Sequence, residues 1–171
     1  NALAAFANKK ELPIKTIEAA IETNEIQKSR MVSKLKKMMN DDFSGKTVAI
    51  LGLAFKPNTD DVRESSSIQM IREIQEGGGS IRAFDPIAND SMKEIIPDIK
   101  YVDSWEEACK DADSATIMTE WNEFRGMDLD RLKTLLSNPI VLDTRNILSI
   151  EKLTKLGFTF DNVGRKIVHE N

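Results

Sequence analysis

Residues 47–66 read TVAILGLAFKPNTDDVRESS, an apolar run that ends at Gly52 and continues as a long polar loop. A short continuous apolar run bounded by a turn residue is typical of a strand buried on both faces. The loop leads into a helix predicted over 65–76, in which isoleucines at helical spacing form the buried stripe. Ser66 and Gln69 have the spacing of a capping box at its start. The segment therefore predicts a strand, a long connection and a helix in succession.

The chain beyond this unit repeats the alternation of short apolar runs and helical stretches. Strands are predicted at 81–84, 100–102, 114–118, 140–142 and 158–160, and helices at 91–96, after Ser104, at 129–136 and at 150–156. Strands that alternate with helices are typical of a parallel sheet covered on both faces. The predicted fold class is therefore α/β, a Rossmann-like parallel sheet sandwiched by helices, with ligands expected at the carboxyl ends of the strands.

A long helix is predicted ahead of this sheet. An Ala-rich segment at 2–7 has the character of a helix end, and Pro13 suits the first turn of the long helix. Positions from Ile14 to Met38 then recur at spacings of three and four, a heptad seam interrupted by Asn24 and Lys28. A helix of about 27 residues would be roughly 40 Å long, more than a small domain is wide. Two interpretations stay open, a spine or subunit contact that forms a homodimer, and an amphipathic helix on its own domain. The domain prediction is a helical region at 1–41 and an α/β domain at 42–171.

Composition and charge exclude several classes of function. The 171 residues are 40% apolar and 30% charged, enough for a packed core. No apolar run approaches the length of a membrane span, and residues 1–10 lack the features of a signal peptide. The sequence has one cysteine and one histidine, which excludes a disulfide framework and metal centres built from several such residues. We therefore expect a cytoplasmic protein with no metal and no membrane contact. Residues 1–41 carry eight Lys or Arg against five acids, whereas the remainder carries sixteen against twenty-three. This acidic balance disfavours nucleic acid as a partner and requires a local cluster of cations for any anionic ligand.

The loop after the first strand contains such cations. The positions of a dinucleotide fingerprint, G-x-G-x-x-G, hold Gly52, Ala54 and Pro57, so the loop does not predict an NAD site of its own. Lys56 and Arg63 instead favour an anion held between a strand end and a helix N-terminus. The alternative is that both cations pair with the acids of the same loop, and the residues alone do not decide between the two.

A second loop carries a further cation. Arg145 follows the strand at 140–142 directly, so its side chain is expected in the same crevice, with Asp143 placed to orient the guanidinium. A diphosphate in an acidic domain needs at least two such cations close together. Cys109, in contrast, lies among acidic residues that would raise its pKa, so it is predicted to be a packing residue and not a nucleophile.

Four segments together resemble a known family. These are GLAFKPNTDDVRES at 52–65, TEWNEFR at 119–125, DTRNIL at 143–148 and the segment 158–165, which closely resemble the C-terminal, UDP-binding domain of the UDP-glucose 6-dehydrogenases. The initial helix resembles the central dimerising helix of that family. The resemblance implies an enzyme that uses two NAD⁺ to oxidise the C6 alcohol of a UDP-sugar to a carboxylate through a thioester on a cysteine. In the family that cysteine and the NAD domain precede the matched region, so this fragment is expected to be inactive alone, with no catalytic residue and with NAD bound mainly elsewhere.

The resemblance also implies roles for individual residues. By motif position, Phe55, Lys56 and Arg145 would contact the UDP-sugar, and Arg63 would reach the NAD. Thr144 stands where the family often has glycine, and its Cβ would restrict close approach of the backbone. Other readings remain, a dehydrogenase for UDP-N-acetylmannosamine or GDP-mannose with the same fold, or a non-catalytic dimerisation or regulatory module.

Overall fold

The computed structural model describes residues 15–165. Its helices are α1 Lys15–Met38, α2 Ser66–Glu76, α3 Asn89–Ile95, α4 Trp105–Cys109, α5 Asn122–Arg125, α6 Leu129–Leu135 and α7 Ile150–Lys155. Its strands are β1 Thr47–Leu51, β2 Ser80–Phe84, β3 Lys100–Tyr101, β4 Ser114–Ile117, β5 Ile140–Asp143 and β6 Thr159–Asn162. The predictions for the segment at 2–7, for Pro13 and for Ile14 lie outside the described residues.

The strands form one parallel sheet, which confirms the predicted fold class. The order of its six strands is β3-β2-β1-β4-β5-β6. Leu51, the last residue of β1, lies beside Phe84 of β2 and Ile117 of β4, so the strands end at a common edge. After β1 the chain proceeds outward to β2 and β3, and then returns to β4 on the other side of β1. The crevice between the loops that follow β1 and β4 is where open α/β sheets bind ligands.

Alternation along the strands divides the apolar residues between two cores. Val48 and Ile50 of β1 belong to the core under α1, α2 and α3, whereas Ala49 and Leu51 belong to the core under α4, α6 and α7. This division follows from the two-residue period of a strand that has helices on both faces. Both cores contain fully buried side chains, so the sheet edge that carries the loops is held on each side.

Helix α1 packs on the α/β domain only through its C-terminal half. Met31, Val32 and Leu35 are buried in the first core, whereas Ile26 is 60% exposed. Lys34 fastens this half to the last strand, with its Nζ 2.7 Å from an Asp161 carboxylate oxygen. The heptad seam is therefore buried against the domain in the C-terminal half of α1 and exposed in the N-terminal half. The predicted boundary at residue 41 stays a prediction, and the first core extends on both sides of it.

Two local features differ from the sequence interpretation. The residue that caps α2 is Ser65 and not Ser66: its backbone is extended, and its hydroxyl accepts the Ser67 N–H at 3.2 Å. Gln69 donates instead to Ser29 and Glu73, so the predicted capping box was wrong. Three consecutive serines have the same capping chemistry, and only the path of the loop selects among them. The short helix α5 was not predicted. In the described part of the chain, no helix combines the length and the apolar character that crossing a membrane requires.

Candidate functional site

Gly52 ends β1 where two loops approach closely. Its φ of 95° lies in the region that favours glycine, and a Cβ there would lie 2.6 Å from the Thr119 nitrogen. The Thr119 hydroxyl donates to the Ala54 carbonyl at 2.7 Å and so joins the loop after β4 to the loop after β1. Gly52 is therefore needed to bring the two loops together at the crevice.

Asp85, the first residue after β2, occupies the inner side of the β1 loop. One carboxylate oxygen accepts the backbone N–H groups of Leu53 at 2.7 Å and Ala54 at 3.1 Å, together with the Trp121 indole N–H at 3.1 Å. The other oxygen accepts two backbone N–H groups of the following turn, each at 2.9 Å. Asp85 is only 2% exposed. No role for Asp85 was predicted from the sequence, although its place directly after a strand and before Pro86 was an available signal.

These contacts decide whether the β1 loop fits the pyrophosphate of NAD. In a dinucleotide-binding fold, the backbone N–H groups of this turn and the helix after it hold the phosphates. Here the N–H groups of Leu53 and Ala54 already bind Asp85, and α2 begins fourteen residues beyond Gly52. The described residues of this loop therefore do not form a dinucleotide cradle, as the incomplete fingerprint predicted.

The outer part of the β1 loop presents Phe55 and Lys56 to solvent. Phe55 is 51% exposed, and its N–H donates to the Asp61 carbonyl at 2.9 Å, which closes the loop on itself. Lys56 is exposed and makes no ion pair or hydrogen bond with any residue in the range 15–165. Lys56 therefore forms no local ion pair, although its charge makes a small contribution to lowering the pKa of Asp61.

Arg63 has the local partner that the sequence analysis left open. Its Nε and Nη2 lie 3.0 and 2.8 Å from the two carboxylate oxygens of Asp61. The hydrogen bonds from Arg63 lower the pKa of Asp61 to about 2. The Arg63 side chain is nevertheless 84% exposed, so water competes for this pair and Arg63 can exchange Asp61 for a ligand.

Arg145 is held by one of its three guanidinium nitrogens. Its Nε donates to the Met118 carbonyl at 2.6 Å and lies 3.3 Å from a carboxylate oxygen of Glu120. Asp143 accepts the backbone N–H of Arg145, not its side chain, so the predicted role of Asp143 was wrong and the Met118 carbonyl orients the guanidinium. Within residues 15–165 the two terminal nitrogens of Arg145 have no hydrogen-bond partner. The guanidinium therefore has a fixed base and two donors available to a ligand.

A cleft between α1 and the carboxyl edge of the sheet brings two of the predicted residues together. Its outer part, of 440 Å³, includes Phe55 and Arg145 in its lining. An inner part of 220 Å³ also borders Arg145 and is lined by the methionines Met31, Met70 and Met118. Lys56 and Arg63 do not line either part.

One wall of this cleft comes from α1, for which the sequence predicted a spine, a subunit contact or an amphipathic helix, but no part in a site. Asn24, Gln27 and Lys28 line its outer part, and the last two also line the inner part. Asn24 and Lys28 are the residues that interrupt the heptad seam, which was the available signal for their position. Lys28 is half-buried and pairs with Glu25 at 2.8 Å, so its charge is partly compensated.

Cys109 is a packing residue, as predicted, but the main cause of its raised pKa is burial and not its acidic neighbours. It is fully buried in the second core, and burial, with a smaller contribution from Glu106, raises its pKa to about 12. Among residues 15–165 there is no group of three acidic, histidine or cysteine side chains suited to a metal ion. The outer part of the cleft combines the apolar Phe55 with charges of both signs, the cations Lys28 and Arg145 and the acids Glu25 and Glu64.

Comparison with known proteins identifies the family. Residues 49–150 match the sequence model of the UDP binding domain of the UDP-glucose/GDP-mannose dehydrogenase family. The chain belongs to this family. The matched region contains Phe55 and Arg145 and both of the loops that carry them, whereas α1 precedes it.

Curated members of the family resemble nearly all of the chain. It is 39% identical over 168 residues to UDP-glucose 6-dehydrogenase TuaD of Bacillus subtilis, which covers 98% of the chain and 36% of that protein. It is 35% identical over 164 residues to UDP-glucose 6-dehydrogenase of Rhizobium meliloti, which covers 96% of the chain and 38% of that protein. The chain thus spans little more than a third of the length of these relatives.

Solved structures of the family share its fold. A UDP-glucose dehydrogenase from the archaeon Pyrobaculum islandicum aligns with a TM-score of 0.75 and 28% identity, over 85% of this chain and 32% of that one. A UDP-D-ManNAc dehydrogenase from Pyrococcus horikoshii aligns with a TM-score of 0.65 and 25% identity, over 84% of this chain and 31% of that one.

Proposed function

We propose that this chain is the nucleotide-sugar-binding part of an NAD-dependent UDP-glucose 6-dehydrogenase, which converts UDP-glucose to UDP-glucuronate in two NAD-linked oxidations. The observation that carries the proposal is that Phe55 and Arg145, from loops on different strands, line one cleft at the ligand-binding edge of the sheet. Membership of the family and the names of the curated relatives support this choice of substrate.

In this proposal Arg145 and Phe55 bind the nucleotide inside the cleft, and Lys56 contacts it from outside the cleft. Arg145 donates to the diphosphate through its two terminal nitrogens, and Lys56 reaches the same group from the outer loop. Phe55 contributes its exposed ring and its backbone. Each charge-assisted hydrogen bond contributes about 1.5–3 kcal/mol, so two cations offset the acidic balance of the domain.

The remaining parts of the proposal concern the cofactor and a second copy of the chain. NAD accepts the hydride and is bound mainly by another domain, because the N–H groups of Leu53 and Ala54 already bind Asp85. Arg63 contacts NAD after it releases Asp61. Two copies of the chain form a homodimer through α1 in the cytoplasm, and no residue of this fragment is assigned to the oxidation itself.

Isothermal titration calorimetry of the 171-residue chain with UDP, GDP and NAD⁺ tests the proposal. We expect UDP to bind, and Lys56→Ala to weaken it about tenfold, since one charge-assisted contact is lost. Lys93→Ala is the matched control, because Lys93 is also exposed and has no ion pair within residues 15–165. Binding of NAD⁺ without UDP would refute the proposal, and preference for GDP would indicate a GDP-mannose dehydrogenase.

The exposed end of α1 favours a second role, dimerisation. Removal of residues 1–41 is not a clean test, because it would also remove Met31, Val32 and Leu35 from the core. Ile26→Glu changes the exposed surface alone. Sedimentation should give a monomer that retains its UDP affinity if α1 forms the dimer. An unchanged oligomeric state would argue against this role.

A further inference from the structure

Asp85 makes the contacts that a bound phosphate makes in a dinucleotide-binding fold. Its carboxylate accepts two consecutive backbone N–H groups, those of Leu53 and Ala54, in the turn that directly follows the first strand. In dinucleotide-binding domains an acidic residue at the end of the second strand binds a ribose hydroxyl, and the turn is left free for the pyrophosphate. Here the acidic residue itself is bonded to the turn, and it is buried.

The same carboxylate joins the β1 loop, which carries Phe55 and Lys56, to the loop after β4, which contacts Arg145. On one side, Ala54 immediately precedes Phe55 and Lys56, so the backbone from which both side chains project begins at an N–H group bound to Asp85. On the other side, the Trp121 indole donates to Asp85. The residue before it, Glu120, pairs with the Nε of Arg145.

We infer that Asp85 is a positioning residue, an internal anion that replaces the nucleotide phosphate on the β1 turn and fixes Phe55 and Lys56 relative to Arg145. The turn, which binds the ligand directly in a dinucleotide fold, is thereby converted into a rigid support whose outer residues bind the ligand. A carboxylate suits this task because it can accept several hydrogen bonds at once, whereas an amide in its place would lose an acceptor on one side. The effect of Asp85 on UDP binding rests on the proposed function, whereas the hydrogen bonds of Asp85 are independent of it.

Chemical rescue of Asp85→Ala tests this inference. The substitution leaves a gap of carboxylate size lined by five N–H donors, and formate has the shape and charge to fill it. Three quantities are measured with formate or with chloride at equal ionic strength: UDP affinity by calorimetry, amide exchange at Leu53 and Ala54 by NMR, and the Trp121 indole resonance.

We expect Asp85→Ala to weaken UDP binding about tenfold or more and to accelerate exchange at both N–H groups, because these donors lose their acceptor. Formate, but not chloride, should restore all three readouts. Asp113→Ala is the matched control: Asp113 also accepts a strand N–H, that of Thr47 at 2.8 Å, but at the opposite edge of the sheet. It should lower thermal stability without changing UDP affinity. If Asp85→Ala does not fold, Asp85→Asn preserves the volume and should show the same losses without rescue.

The outcomes distinguish a failure of the proposed function from a failure of the role inferred for Asp85. If the wild-type chain fails to bind UDP, the proposed function is wrong, and the exchange and indole readouts still decide on Asp85. If the wild-type chain binds UDP and Asp85→Ala matches it in affinity and in exchange, the inference is overturned. Equal losses of affinity in the Asp85 and Asp113 variants, without rescue by formate, would also overturn it, since Asp85 would then contribute only to stability.

Discussion

Replacement of Arg145 should separate the effect of its charge from the effect of its geometry. The Nε of Arg145 is occupied by the Met118 carbonyl at 2.6 Å, which leaves only the terminal nitrogens for a ligand. Arg145→Ala removes both, and the loss of each charge-assisted bond, about 1.5–3 kcal/mol, corresponds to roughly 10- to 150-fold in UDP affinity. Arg145→Lys keeps the charge but lacks a planar fork, so we expect a smaller loss of about tenfold.

The assay is UDP titration by calorimetry, with circular dichroism to check the fold of each variant. Arg131→Ala is the control, because Arg131 is exposed on α6 and its removal changes net charge equally. Arg145→Ala also leaves Glu120 without its cation. The double variant Glu120→Gln/Arg145→Ala should therefore recover thermal stability without recovering affinity. A folded Arg145→Ala protein with wild-type UDP affinity would refute the assignment of Arg145 to the ligand.

Three further predictions concern stability and titration. Leu35→Ala should lower the free energy of unfolding by about 2–5 kcal/mol in denaturant titrations, because Leu35 is fully buried. Ile26→Ala should change it by less than about 0.5 kcal/mol, because Ile26 is exposed. Equal effects would contradict the conclusion that only the C-terminal half of α1 packs on the domain. The pKa of Asp61, about 2, should rise toward 3.8 in Arg63→Gln, as followed by NMR. Because the pKa of Asp61 is depressed in the folded state, the stability that the ion pair contributes is present above pH 3.8 and is lost as the pH falls through about 2. If the pKa of Asp61 is the same in Arg63→Gln, the ion pair with Arg63 does not form in solution. Cys109, with its pKa raised to about 12, should resist alkylation at pH 8 until the protein unfolds, and rapid labelling of folded protein would place it outside the core.

The sheet could be predicted from the sequence because each of its parts carries a local signal. Apolar runs such as 47–51 and the intervening helical stripes specify buried parallel strands without reference to the rest of the chain. The capping serine of α2 could not be assigned in the same way, because neighbouring serines are chemically equal. The burial of only half of α1 was also not predictable, since a heptad seam does not state what covers it.

The site was predicted less completely, and the reason is spatial. Phe55 and Arg145 follow strand ends, and the rule for parallel sheets was sufficient to bring them to one edge. Asp85, Trp121 and Glu120 come from other loops, and their contacts depend on the approach of those loops at Gly52. No spacing in the sequence encodes such an approach. For Arg63 the sequence allowed two alternatives, an ion pair with an acid of the same loop or binding of an anion, and the residues alone did not decide between them.

The attachment of α1 has a mechanical consequence. From Ser29, which accepts a hydrogen bond from Gln69 of α2, to Lys15 the helix extends about 21 Å beyond its attachment, with its fixed end beside the cleft. A change of only about 5° in the angle of that fixed end would move the far tip by about 2 Å at a rise of 1.5 Å per residue. Because Met31 and Val32 pack the fixed end into the first core, a change in their side-chain volume would be magnified along the exposed part of α1.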